Sequence, residues 1–373
     1  MVPDWKALLP HRPLDPDTDQ YVPPPTNGGE RIAQWILADR TTVLVAGPVG
    51  IGKSTELARA AKLLQAERSA FLVRLDRFEN MKRVTVDQLL LRIAGVVATI
   101  AAEELELTLS FVLRTALFRK GVLAEKPRST SVLGIEPLPP VEASPASMLG
   151  VTIAEIANKS RRVSLILDGL EKLPDSPIVS ELFDALGALG DDVDIITVLP
   201  WSLAFGGADT LLRPGERLVA LSAPEVDGRD PRGRDFLQEI LMRRLGLTSE
   251  DIPADRRPVF ERAAIASGGI PRTFLQLVAD AGTYAHMRRN DPWPQIDDLD
   301  DAIKDQVDSF RRILRKGDTN AILAIEGEDG RELDLERKIR LLTHGVLLER
   351  NAKLTVHPLV KPLLPALWTK PDA

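Results

Sequence analysis

The chain has 373 residues, of which 44% are hydrophobic and 27% charged, with a formal net charge of −6. This is an ordinary globular composition, long enough for two or three domains. The absence of cysteine excludes disulfides, zinc–thiolate sites and cysteine nucleophiles. The acidic balance provides no overall positive field for nucleic acid or acidic membranes. No apolar run approaches the roughly 18 residues of a membrane span and no signal-peptide pattern is visible, so we expect a cytoplasmic protein without a membrane partner.

The first 29 residues are a proline-rich arm. Three consecutive prolines, Pro23 to Pro25, lie near its end, and this composition predicts little regular structure. Tyr21 in this arm has two interpretations. It is either an anchor that packs on a core or an aromatic ring that lies against an adenine.

Apolar runs alternate with helical patterns over the first 225 residues. Strands are expected at 42–46, 70–76, 162–168, 194–199 and 217–221, and helices at 30–38, 56–65, 85–103, 105–120, 146–159 and 175–189. This alternation predicts a parallel α/β sheet. Residues 104–145 include a proline-rich stretch, and we interpret them as an insertion or a mobile segment.

A glycine-rich run lies between the first predicted strand and the second predicted helix. Its spacing is G-x-x-x-x-G-K-S, in which glycines let backbone N–H groups approach phosphate oxygens and the following helix adds the positive end of its dipole. Lys53 would reach the β- and γ-phosphates, and Ser54 would hold Mg²⁺. The run predicts a phosphate-binding loop for a nucleoside triphosphate, formed by Gly47, Pro48, Val49, Gly50, Ile51, Gly52, Lys53, Ser54 and Thr55.

The third predicted strand ends in an aspartate. A phosphate-binding loop needs such a residue for its metal ion, and we expect Asp168 to contact Mg²⁺ through bound water. Glu171 places a second carboxylate three residues later. Since a general base must lie near the γ-phosphate rather than on the metal, Glu171 is the candidate base. The alternative is a solvated glutamate at the start of a helix.

From about residue 230 the pattern is helical and then ends in a hairpin. Helices are expected at 231–246, 256–267, 271–288, 296–316, 318–325 and 333–343, and short strands at 346–349 and 353–356. Helices followed by a hairpin indicate a small winged-helix domain. Its span, 296–373, carries 13 lysines and arginines against 15 acidic residues. We therefore favour packing or partner docking over DNA binding, despite two basic clusters: Arg311, Arg312, Arg315 and Lys316, and Arg337, Lys338 and Arg340.

Three motifs together resemble AAA+ and STAND-type P-loop ATPases. They are the phosphate loop, the D-G-L-E run that begins at Asp168, and a G-G-I-P-R run that ends at Arg272. In that group D-G-L-[DE] is a form of the Walker B strand, and G-G-x-P-R opens a helix of the lid. The resemblance implies an α/β fold, a P-loop NTPase with a parallel five-stranded sheet. The domains would be the arm at 1–29, the ATPase core at 30–225 with its insertion at about 104–145, a helical lid at 226–295 and a winged-helix-like domain at 296–373.

The resemblance also implies roles for further residues. Thr197 matches the sensor-1 strand, where a polar side chain responds to the γ-phosphate, and Arg272 matches the lid arginine called sensor 2. Arg213 precedes the fifth strand, where AAA+ proteins place an arginine finger that acts on a neighbouring subunit, and Arg217 is an alternative. Each has a plainer interpretation: a β-branched strand residue, a surface arginine at a helix start, and a cation that favours a helix end.

The chain departs from the STAND pattern in two ways. STAND proteins often carry an arginine just after the fourth strand, but here Val198 is followed by Leu199, Pro200 and Trp201. This casts doubt on an arginine mechanism at sensor 1 and implies slow or partner-stimulated turnover. No repeat array follows the predicted winged helix either. We therefore expect the usual sensor domain to be absent or supplied by another protein.

Three functions follow as hypotheses, all with ATP/ADP and Mg²⁺ as ligands. The first is an AAA+/STAND-like ATPase switch that controls assembly of a homo-oligomer or activity of a partner effector, in bacterial antiviral defence or stress signalling. The second is a DNA-handling ATPase of the loader or transposition-helper type. The third is a structural module that binds nucleotide with little turnover. A small-molecule kinase is less favoured, because a lid and a winged helix follow the sheet rather than an acceptor pocket.

Overall fold

The computed structural model describes residues 3–8, 14, 18–38, 41–77, 80–125, 143–173, 177–190, 192–206, 217–326, 333–350 and 353–364. The chain divides into two compact units. One contains residues 29–46 and 57–219 and is called here the sheet unit. The other contains residues 1–28, 47–56 and 220–373 and is called the helical unit.

The predicted elements form with small shifts in their ends. The strands are β1 (Thr42–Ala46), β2 (Ser69–Arg74), β3 (Val163–Asp168), β4 (Val193–Val198), β5 (Arg217–Ala220), β6 (Leu347–Arg350) and β7 (Lys353–Val356). The helices are α1 (Gly28–Leu37), α2 (Lys53–Leu64), α3 (Val86–Glu103), α4 (Phe111–Arg119), α5 (Pro145–Lys159), α6 (Pro177–Gly187), α7 (Trp201–Gly206), α8 (Arg232–Leu245), α9 (Arg257–Ala266), α10 (Pro271–Arg289), α11 (Ile296–Ile313), α12 (Asp318–Glu326) and α13 (Leu335–Thr343).

A five-stranded sheet in the order β2-β3-β4-β1-β5 is the centre of the first unit. The pairs β1–β4, β3–β4 and β2–β3 are all parallel. β1, β3 and β4 are buried along their whole length, as expected for strands covered on both faces. The α/β fold with a parallel five-stranded sheet is confirmed.

Helices α3 and α5 and the sheet share one apolar core, which includes Phe71, Leu89, Ile93 and Leu165. α3 begins at a capping box, in which Thr85 and Gln88 each accept a hydrogen bond from the other's backbone N–H. The apolar side of α3 is buried by its contacts with α5 and with the sheet.

The predicted helix over 105–120 is wrong in its first turn. The segment before Ser110 is not helical, and Glu106 has a positive φ of 53°. The hydroxyl of Ser110 accepts the N–H of Leu113 and caps α4, so the helix begins at Phe111. Leu113 and Leu117 of α4 are buried in the core of the sheet unit. Of the predicted insertion, residues 126–142 lie outside the described residues.

The helical unit is built on α8, α9, α10 and α11. Phe260, Phe274, Leu277 and Leu299 are buried among these helices. α11 thus packs with the predicted lid helices, although the sequence analysis assigned it to the C-terminal domain. The domain boundaries at 29, 225 and 295 remain predictions.

The N-terminal arm joins the core of the helical unit. A short 3-10 helix, Trp5–Leu8, lies in it, and Leu8 is fully buried with Val22 in the core. The Trp5 indole packs edge-on against Trp293 and donates a hydrogen bond to the Pro292 carbonyl at 3.2 Å. Proline content predicted the scarcity of regular structure here but not this packing.

The C-terminal hairpin forms as expected. β6 and β7 pair in antiparallel register, with Leu347 opposite Val356 and Arg350 opposite Lys353. Residues 351–352 of the predicted turn lie outside the described residues. Two helices, α12 and α13, precede this hairpin, and the winged-helix assignment remains a prediction. In the part of the chain that the structure describes, no helix is long and apolar enough to cross a membrane.

Candidate functional site: a phosphate-binding loop

The glycine-rich loop continues directly from the end of β1. α2 begins at Lys53, earlier than the sequence pattern suggested, because the N–H groups of Thr55 and Glu56 donate to the carbonyl of Gly52 at 2.9 and 3.0 Å. Gly50 has a φ of 87°, a conformation that side-chain-bearing residues rarely adopt. The loop therefore leads into a helix N-terminus, which presents backbone N–H groups suited to an anion.

Lys53 lies against the loop that contains it. Its Nζ donates to the carbonyl oxygens of Gly47 at 2.9 Å and Pro48 at 3.1 Å, and the residue is only 8% exposed. A Cβ on Gly47 would lie 2.8 Å from the Leu221 carbonyl oxygen, so only glycine fits at this position. A buried ammonium, a helix N-terminus and a tightly packed glycine together fit a polyphosphate ligand.

The loop also contacts the start of α10 within the helical unit. The N–H of Arg272 donates to the carbonyl of Gly50 at 3.3 Å. A Cβ on Gly50 would lie 2.7 Å from the Cβ of Arg272. The Arg272 side chain is exposed. The structure therefore brings the predicted lid arginine and the phosphate loop together.

Asp168 ends β3 at the edge of the sheet where β1 continues into the loop. It is 4% exposed, and its neighbour in register is Arg74, the last residue of β2. Because parallel strands run side by side about 4.8 Å apart, their carboxyl ends meet at one edge. This topology supports the prediction that Asp168 is the acidic residue of a metal site. Among the described residues, no cluster of three or more His, Cys, Asp or Glu side chains forms a metal site.

Glu171 lies on a 3-10 turn, Leu170–Lys172, directly after β3. It is half-buried, unlike a fully solvated residue. On the same turn, Lys172 forms an ion pair with Asp76, which follows the end of β2. The segment that follows β2 therefore contacts the turn that carries the candidate base, a contact that the sequence did not indicate.

Thr197 is fully buried in β4, in register with Leu44 of β1 and Leu167 of β3. Its hydroxyl oxygen lies 3.5 Å from the carbonyl oxygen of Val198. β4 is followed at once by α7, a helix that the sequence analysis did not predict. Thr197 therefore lies on the strand between β3 and β1, and its sensor-1 role stays a prediction.

The two arginine-finger candidates differ in what the structure shows. Arg213 lies outside the described residues. The guanidinium of Arg217 lies over the Trp35 ring, 4.8 Å from its centroid, a cation–π contact within its own chain. Its role as a finger remains a prediction that this contact does not favour.

Two further residues near the loop and strand have neighbours that the sequence did not indicate. Tyr21 is buried and its hydroxyl donates to Oε1 of Glu56 at 3.3 Å, which supports the anchor interpretation over the adenine contact. Arg74 is a half-buried cation in register with Asp168. The single sequence signal for Arg74 is that a basic residue ends an apolar strand.

Two of the solved structures with a similar fold are an Orc1 protein and a Walker-type ATPase. The Orc1 protein of Aeropyrum pernix, solved in complex with DNA, matches with a TM-score of 0.50 and 16% identity, over 97% of this chain and 97% of that chain. A Walker-type ATPase of Pyrococcus abyssi matches with a TM-score of 0.53 and 13% identity, over 96% and 99%.

The chain therefore shares the overall fold of these two proteins, an α/β fold with a parallel five-stranded sheet. At these identities the likeness concerns the fold alone. No protein-family model matches the sequence, and no curated protein matches it either. Activity must therefore be inferred from the residues of the site.

Proposed function

We propose that this chain is a Mg²⁺-dependent ATPase that acts as a nucleotide-controlled switch. The observation that carries the proposal is the loop itself, with Lys53 held within it and Arg272 hydrogen bonded to Gly50. A loop that contacts both its own lysine and the predicted lid helix can transmit a change in bound phosphate to that helix.

Each predicted site residue has a role in the proposal. The loop from Gly47 to Thr55 binds the phosphates, and Lys53 neutralises the β- and γ-phosphates. Ser54 and Asp168 hold Mg²⁺, which supplies positive charge to the phosphate oxygens when bound. Glu171 orients the attacking water as general base. Thr197 and Arg272 respond to the γ-phosphate, and Arg213 acts on a neighbouring subunit.

We infer slow or partner-stimulated turnover. The stretch after β4 carries Pro200 and Trp201 rather than an arginine. A site without that cation lacks one group that could stabilise charge in the transition state. The output would be assembly of a homo-oligomer or control of a partner effector in the bacterial cytoplasm, in STAND-like antiviral defence or stress signalling.

Nucleotide binding and hydrolysis of three variants test the proposal. Lys53→Ala should lose at least tenfold in ATP affinity, because the phosphates lose their buried cation. Glu171→Gln should bind ATP normally yet hydrolyse it roughly 10²- to 10⁴-fold more slowly. Lys62→Ala, an exposed lysine on the same helix α2, is the matched control. Wild-type ATP affinity in Lys53→Ala would overturn the site assignment, and unchanged hydrolysis in Glu171→Gln would leave Glu171 a structural residue.

A DNA-handling ATPase is the second candidate, because one similar structure is that of a DNA-bound Orc1 protein. The charges on α13 argue against it. Arg340 pairs with the buried Asp318, and Arg337 lies 3.8 Å from Asp318 and 3.4 Å from Asp334. Cations neutralised within the protein contribute little to phosphate contacts. DNA-stimulated hydrolysis that weakens with rising salt would favour this candidate, whereas ATP-dependent oligomers in light scattering would favour the switch.

A further inference from the structure

The C-terminal hairpin is hydrogen bonded to the turn that precedes α10. This turn comprises residues 267–269 and is called here the glycine turn. Arg350, at the end of β6, donates from Nη2 to the carbonyl of Gly268 at 2.7 Å and lies 3.3 Å from Asp227 through Nη1. His357, just after β7, accepts the N–H of Leu359 on Nδ1 at 3.1 Å and hydrogen bonds to the backbone of Ser267. Two consecutive residues of the turn are thus held by the two ends of the hairpin.

The same turn is in close apolar contact with the hairpin. A Cβ on Gly268 would lie 2.8 Å from Cδ1 of Leu348 and 3.0 Å from Cδ of Pro358. Gly268 also has a positive φ of 63°. A side chain at this position would displace the Leu348 side chain or Pro358, so the turn packs closely against β6 and the residue that follows His357.

The glycine turn leads directly into the contact with the phosphate loop. Ile270 follows it, and Arg272 donates its N–H to Gly50. Ile270 packs with Ala223 and Leu348 in one buried cluster, and Ile51 of the loop packs against that cluster. Leu348 of the hairpin and Ile51 of the phosphate loop therefore contact the same small apolar core. All of these residues belong to the helical unit.

We propose that Arg350 is a positioning residue for nucleotide binding, which acts through the glycine turn to hold Arg272 against the phosphate loop. The inference rests on the proposed nucleotide-binding function and deepens it. In this proposal the hairpin stabilises the conformation of the phosphate loop that binds nucleotide. A guanidinium suits this task because it donates to Gly268 and Asp227 at once in a fixed geometry.

The coupling between docking of the hairpin and binding of nucleotide must be the same in both directions. If docking of the hairpin favours the loop conformation that binds nucleotide, nucleotide must favour docking by the same factor. Bound ADP should therefore slow hydrogen exchange at the backbone amides of β6 and β7. A hairpin that only packs, without coupling, would exchange at the same rate with and without nucleotide.

The test is nucleotide affinity and hydrogen exchange of full-length variants, with a fluorescent ADP analogue as the probe. Arg350→Gln should weaken binding by roughly five- to tenfold, within the usual range of coupling between sites. It should also speed exchange of the Arg272 amide. Arg350→Lys, which keeps one cationic donor, should recover part of both effects. Lys353→Ala is the matched control, because Lys353 lies opposite Arg350 in the hairpin and is exposed.

The outcomes separate this inference from the proposed function. If Lys53→Ala binds nucleotide like the wild type, the proposed function fails. If Lys53→Ala loses binding but Arg350→Gln keeps wild-type affinity and Arg272 exchange, the inference alone fails. Should Arg350→Gln not fold, the ADP effect on hairpin exchange in the wild type decides: protection supports the coupling, and its absence overturns it.

Discussion

Gly50 shows how a single residue links the glycine-rich loop to the start of α10. Its φ is 87°, and a Cβ added at this position would lie 2.7 Å from the Cβ of Arg272, so there is room for hydrogen only. Gly52 also has a positive φ, 104°, but a Cβ there would meet no heavy atom within 4 Å. A substitution at Gly52 should therefore cause backbone strain alone, whereas a substitution at Gly50 should cause strain and also a clash with Arg272.

We expect Gly50→Ala to weaken nucleotide binding more than Gly52→Ala does. Both substitutions add about 1–2 kcal/mol of left-handed backbone strain, but only Gly50→Ala also displaces Arg272. Titration with a fluorescent nucleotide gives the two affinities, and exchange of the Arg272 amide should rise in Gly50→Ala alone. Equal affinities and equal exchange would show that the Arg272 contact is irrelevant to the loop.

Which residues belong to the candidate site was predictable where a local sequence motif contains them. Lys53 and Asp168 follow from the spacing of the loop and from a strand that ends in an acid. The surroundings of Arg74 and Tyr21 were not predictable in the same way, because their neighbours Asp168 and Glu56 lie far from them in sequence.

Among the elements, the C-terminal hairpin is followed directly by a histidine that should make stability depend on pH. His357 is buried, and burial, with a smaller contribution from Arg350, lowers the pKa of its imidazole to about 4. The unfolded chain binds a proton near pH 6.5, whereas the folded chain does so only near pH 4. The folded state therefore loses stability as the pH falls through this window and gains none from this residue above it.

We expect the free energy of unfolding of the helical unit to fall by about 3 kcal/mol between pH 7 and pH 4 because of His357. His357→Gln should remove that part of the pH dependence. Chemical unfolding at a series of pH values measures it, and His344→Gln, at an exposed histidine, is the control. A pH profile unchanged by His357→Gln would contradict the expectation.

The charges on α13 are visible in the sequence, but their partners are not. Arg337 and Arg340 look like part of a basic cluster for phosphate contacts. In the fold, both lie close to Asp318, which is 1% exposed. Asp318 is 22 residues away from Arg340 along the chain, so only the fold, which places the start of α12 beside α13, decides that these cations are neutralised.

At the scale of the whole chain, the N-terminal arm completes the core of the helical unit. Leu8 is fully buried there with residues from α8 to α10. Trp5 packs so closely on α10 that a Cβ on Gly282 would lie 2.5 Å from its ring. The arm, for which composition predicts little regular structure, thus contributes buried side chains to this core.

Leu8→Ala should destabilise the helical unit by about 3 kcal/mol, the typical cost of removing a fully buried leucine side chain. Lys6→Ala, at an exposed position of the same 3-10 helix, should change stability by less than about 0.5 kcal/mol. Urea unfolding followed by tryptophan fluorescence compares the two. Equal midpoints for both variants would mean that the arm does not pack on the unit in solution.

The sequence by itself determined the phosphate loop, the acidic end of β3 and the α/β alternation, because each depends on residues close together in the chain. It also determined the hairpin, whose two strands are separated by only two residues in the sequence. Only the tertiary structure decided the strand order, the contact between Gly50 and Arg272, and the docking of Arg350 on the glycine turn. These features join residues far apart in sequence, and their free energy comes from burial and hydrogen bonds that exist only after the chain has folded.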